Sequence, residues 1–144
     1  MDDLLNPHQR RALTVALAHL ERAVRTADDV LTGPADERLN PVRLEIDEAR
    51  RREIALRLAE IRGALASAAL RFEIEPLPRD GARIAAAAML SAWEGLEDVH
   101  ARKLARYGAV DPALAPELDP VVDHLITLSL DIVGLLREPD RPVP

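Results

Sequence analysis

Aliphatic residues recur at alternating intervals of four and three in four separate stretches of this chain, a spacing that commits it to amphipathic helices packed along seams. The first seam is Leu13, Leu17, Leu20, Val24, Ala27 and Leu31, and the second is Ile54, Leu58, Ile61, Leu65, Ala68 and Phe72. Met89, Trp93 and Leu96 mark a third, and Val121, Leu125, Leu128, Ile132 and Leu135 a fourth. The residues available to fill a core agree with this. There is one Phe, one Tyr and one Trp in 144 residues, and Ala is abundant. Such a set suits closely approaching helices better than packed sheets.

Local punctuation sets the helix limits. Asn6 can cap a first helix, with Pro7 at its first position and Gln9 closing a capping box, and Gly33-Pro34 ends it. Val42 to Ile46 alternates with period two, so an irregular or extended connection is expected, with the second helix starting near Asp47 and running to about Phe72. A helix from Pro41 is the alternative. Glu75-Pro76-Leu77-Pro78 breaks the pattern. Asp80 then caps a third helix, expected as one long element over Arg83 to Tyr107 and closed by Gly108. Asp111-Pro112 and Asp119-Pro120 both read as cap-plus-proline starts. They predict a short turn over 112 to 116 and a fourth helix from Pro120 to Arg137. The expected fold is all-α, an antiparallel up-down-up-down four-helix bundle. It would form one domain over residues 1–138, with a disordered tail over 139–144.

Composition narrows the function. A net charge of −6 argues against a general nucleic-acid binder, which needs a basic face. The Arg50-Arg51-Arg52 run is flanked by Glu48 and Glu53 and reads as a solvated face. There is no Cys, hence no disulfide or thiolate site. The near-apolar run Ile84 to Trp93 is about half of what a membrane span requires. The opening MDDLLNPHQRR lacks an apolar signal segment. A cytoplasmic protein is expected, with no cofactor.

Two short motifs carry a resemblance. Glu97 and His100 form an E-x-x-H, which resembles the half-site of ferritin-like di-iron bundles. That resemblance implies a metal site, but it needs a second E-x-x-H and two more inward Glu. His19 and Glu60 fall on the outer halves of their helices, leaving only Glu97 and Asp131 beside the seams. His100 and Lys103 form an H-x-x-K, which resembles the phosphorylated turn of histidine phosphotransfer domains and implies an exposed phosphoryl-accepting His. Leu104 stands where that family carries a small residue. The resemblance covers one turn.

Two further patterns stand on spacing alone. Near one end of the expected bundle the seams turn polar, at Asp47 and Arg51 on the second helix and at His100, Lys103 and Tyr107 on the third, with His124 bordering the fourth. Charged groups at seam positions need partners, because desolvation is costly. This end is therefore wet, or a small polar pocket for an anion or carboxylate ligand, or a pairwise ion network with only a structural role. Ala85, Ala88, Ala92 and Gly95 form a second, small-residue seam on the third helix, suited to close approach of another helix. Gly95 inside a helix costs about 1 kcal/mol against Ala. That seam packs either within the chain or across a homodimer. The reading is a non-enzymatic interaction or assembly module, self-associating or with a protein partner. A small-anion binder and a His100-centred phosphotransfer or metal protein are the alternatives.

Overall fold

In a computed structural model, described over residues 4–33 and 37–138, the chain is all-helical, with no strand among those residues. The expected tail over 139–144 lies outside the described residues. Five α-helices are present: α1 (Pro7–Thr32), α2 (Glu48–Arg71), α3 (Gly81–Glu97), α4 (Ala101–Leu104) and α5 (Leu114–Arg137), with a 3-10 turn at Ala105–Tyr107. The chain divides into two compact units, one ending at Leu77 and the other beginning at Pro78.

The first unit is the hairpin of α1 and α2. Asn6 and Gln9 form the expected capping box, and Asp47 caps α2 by accepting from the Arg50 amide at 2.7 Å. Val24 and Leu58 are the buried centres of the two seams. No helix forms over residues 37–47, and Leu44 and Ile46 are half-buried while Arg43 and Glu45 are exposed, as period-two alternation requires. Two arginines close the hairpin ends reciprocally. Arg51, in the first turn of α2, donates to the Leu31 carbonyl in the last turn of α1 and to the Leu44 carbonyl, both at 3.1 Å. Arg10, in the first turn of α1, donates to the Phe72 carbonyl at the end of α2 and to that of Glu73. The last carbonyls of a helix have no partner within it and carry partial negative charge, which a guanidinium answers on both counts. Past α2 the Ile74 amide bonds Ala69 and the Glu73 amide bonds Leu70, a Schellman closure with Glu73 at φ 50 where Gly is usual.

The second unit packs α3 antiparallel against α5, and three expectations change here. The long helix over 83 to 107 breaks: α3 stops at Glu97, His100 adopts φ −59, ψ 150, and α4 restarts at Ala101. Second, Asp119 does not cap a helix starting at Pro120. Instead α5 begins at Leu114 and runs through Pro120, while the Asp111 carboxylate accepts from the Ala113 amide to turn the chain into it. The third change concerns the seam of α5. The buried line is Val122, Ser129 and Val133, with Ile126 and Leu136 half-buried, one residue on from the expected line. Ser129 made that line look polar, but its hydroxyl bonds the Leu125 carbonyl at 2.8 Å and so is buried at little cost. Gly108 closes the 3-10 turn at φ 151, ψ 173, a conformation nearly restricted to Gly.

Candidate interaction surface

Five of the six residues expected to form a polar end, Asp47, Arg51, His100, Lys103 and Tyr107, are engaged locally. Asp47 is the α2 cap and Arg51 is spent on the Leu31 and Leu44 carbonyls. In the second unit, Lys103 lies 3.8 Å from the Asp98 carboxylate, with both side chains about half exposed. Tyr107 is 75% exposed and stacks under the Arg106 guanidinium at 4.9 Å. His124 is exposed on α5.

His100 alone is enclosed, at 13% side-chain exposure, and it holds the helix break together. Its Nε2 meets the Asp123 carboxylate at 2.7 Å, and its Nδ1 faces the Glu97 carbonyl at 3.3 Å. Both partners are acceptors, so the arrangement is satisfied by a ring protonated on both nitrogens. Accordingly the pKa is raised above 6.5, first by the Asp123 hydrogen bond and then by the Glu97 carbonyl. When both nitrogens are protonated the ring offers no lone pair to a metal or a phosphoryl group. One turn earlier on α5, Asp119 accepts from the Ala101 amide at 2.9 Å, satisfying the first N–H of α4. Two carboxylates four residues apart thus clamp the break from α5. Sequence reading missed both. The available signal was Asp119 and Asp123 at i,i+4, both facing a stretch with no helix-breaking residue. Glu97 is occupied in turn, accepting from the Trp93 indole at 3.1 Å.

The uncovered surface is apolar. The line Val121, Leu125, Leu128, Ile132 and Leu135 is 55%, 44%, 46%, 43% and 69% exposed. At about 100° per residue it lies a quarter-turn round α5 from the line that faces α3. Carrying the same rotation through the antiparallel pair places it on the side of the hairpin where α3 presents Ala85 and Ala92, with Met89 and Leu96 at its inner edge. Ala88 and Gly95 form the outer edge of that side. Ala85, Ala88, Ala92 and Gly95 are all exposed. A Cβ on Gly95 would meet nothing within 4 Å among the described residues of its own unit, so neither α4 nor α5 makes the close approach that this Gly would permit. None of these residues on either helix is charged. The result is an apolar strip two helices wide and about 21 Å long.

In the first unit an open groove of about 1020 Å³ is lined by Arg10, Arg11, Glu73 and Glu75 among others. Its cations and anions balance, which gives it no preference for an anion. Among the described residues, no group of three or more His, Asp or Glu is placed to hold a metal ion. Nor, among them, is any helix long and apolar enough to cross a membrane. No known protein family matches the sequence, and no curated protein or solved structure shows significant similarity to it.

Proposed function

We propose that this chain is a non-enzymatic assembly module that works through the apolar strip of α3 and α5. The observation carrying this reading is the row of five large aliphatic side chains on α5, each exposed by more than two-fifths, along a line without a charge. Contiguous apolar surface rimmed by polar residues marks an interaction site far more often than it serves a free monomer. α3 and α5 supply half of an up-down bundle, and two further helices laid on the strip complete it. Of the polar groups that suggested an anion pocket, Asp47, Arg51, His100, Lys103 and Tyr107 each meet a neighbouring backbone or side-chain group, so the assembly reading is preferred.

Because the chain has no Cys, single-cysteine variants report burial directly. Leu128→Cys is expected to react with a maleimide at least ten-fold more slowly than Thr127→Cys, on the polar side of α5. This should hold in the purified protein or in an extract of the source cells, and unfolding should abolish the difference. Equal rates in both settings would remove the assembly reading.

A further inference from the structure

The occupant of the strip can be identified from its shape, area and composition. The two halves of the strip differ in relief. α5 contributes a ridge of Val, Leu, Leu, Ile and Leu, and α3 contributes a shelf centred on Ala85 and Ala92. A ridge beside a shelf is complementary to itself after a two-fold rotation about an axis parallel to the helices. The rotation sets each α5 ridge on the other copy's α3 shelf. It also makes every neighbouring pair of helices antiparallel, as in an up-down bundle. A two-fold axis across the helices would instead stack ridge on ridge and leave the shelves apart.

Area supports the same occupant. A strip about 21 Å long and two helices wide covers on the order of 400 Å² in plan on each copy. The two copies together contribute about 800 Å² in plan, with a larger accessible area, which is of the order of the roughly 1,000 Å² that separates specific from incidental contacts. Composition points the same way. An uncharged strip offers a charged partner nothing to pair with, but it matches a second uncharged strip. The α1–α2 hairpin presents no such surface. The exposed aliphatics of its helices, Val15, Leu20, Ile54, Leu56 and Leu70, are scattered round helices that carry seven and nine charged residues.

We infer that the strip is a homodimer face: α5 of one copy lies along Ala85 and Ala92 of α3 in a second copy, and receives the same contact in return. This inference rests on the assembly reading above and adds the identity and orientation of the partner. Within one copy, the His100–Asp123 and Ala101–Asp119 contacts fix the level of α3 against α5. An axis parallel to the helices preserves those levels between copies, which puts Leu128 near the partner's Ala92 and Ile132 near the partner's Ala88.

The test mixes a tagged chain carrying Leu128→Cys with an untagged chain carrying Ala92→Cys, allows exchange, and oxidises mildly. Tagged–untagged disulfides are expected to exceed either self-disulfide at least five-fold, and Thr127→Cys in place of Leu128→Cys should lose that preference. A second pair, Ile132→Cys with Ala88→Cys, is expected to behave alike and guards against one variant folding poorly. Predominant Leu128–Leu128 linkage, or no linkage above the Thr127 control in either pair, would overturn the inference. If linkage is absent while Leu128→Cys is still protected in cell extract, the assembly reading survives and only the second copy is excluded.

Discussion

At the scale of single residues, the most informative side chains are those that satisfy someone else's backbone. Arg10 and Arg51 each bond carbonyls at the end of the opposite helix. Replacing either by Met leaves those carbonyls without a charged donor, and each change is expected to cost about 2 kcal/mol in urea unfolding. The two costs should add, because they act at opposite ends of the hairpin. Glu73 holds φ 50 without being Gly, so Glu73→Gly is expected to gain about 0.5–1 kcal/mol in the same assay. His100 sets a pH dependence. Its folded pKa is raised above 6.5, so its contacts contribute in full below about pH 6.5 and are lost as pH rises through the raised value. Thermal stability is therefore expected to fall in the wild type as pH rises above about 6.5 and through the raised value, and to fall less in His100→Gln. NMR titration of Asp123→Asn should show the His100 pKa moving back toward its ordinary value.

At the scale of elements, legibility followed the range of the interactions involved. The limits of α1 and the start of α2 were readable because Asn6, Pro7, Gln9 and Asp47 act within one turn of themselves. The break between α3 and α4 was not, because nothing between Glu97 and Ala101 stops a helix by itself. It is held by Asp119 and Asp123, some twenty residues further on. The same long-range role misled the reading of Asp119-Pro120, a dipeptide whose local preference is to start a helix. On α5 the periodicity was right and the phase was off by one residue, because two apolar lines lie side by side and a back-bonded Ser129 sits in the buried one. Most of the polar-end residues have partners close by that the sequence did not show, since a seam position indicates where a side chain points but not whether a nearby carbonyl or carboxylate already meets it. Removing the clamp should therefore act on the break itself. Asp119→Ala is expected to cost about 1–2 kcal/mol, by stranding the amide of Ala101, which is only 3% exposed. It should also raise hydrogen exchange at Ala101 to Leu104 before the rest of α3 and α5.

At the scale of the whole molecule, charge is unevenly shared. α2 carries nine charged residues in 24, whereas α3 carries three in 17. No large side chain among the described residues is wholly enclosed, and large aliphatics remain exposed along α5. Helical hairpins bury too little to be stable alone, and a helix that is apolar on more than one face needs cover on each. In the proposed dimer a second copy would supply that cover, and Gly95 and the alanines of α3 leave room for it. The most direct measurement is the molar mass by sedimentation equilibrium, at micromolar concentration, of the wild type and of Leu128→Glu/Ile132→Glu. The expected result is twice the chain mass for the wild type and the single-chain mass for the variant, with helical content retained. A single-chain mass for the wild type across the micromolar range would contradict the account.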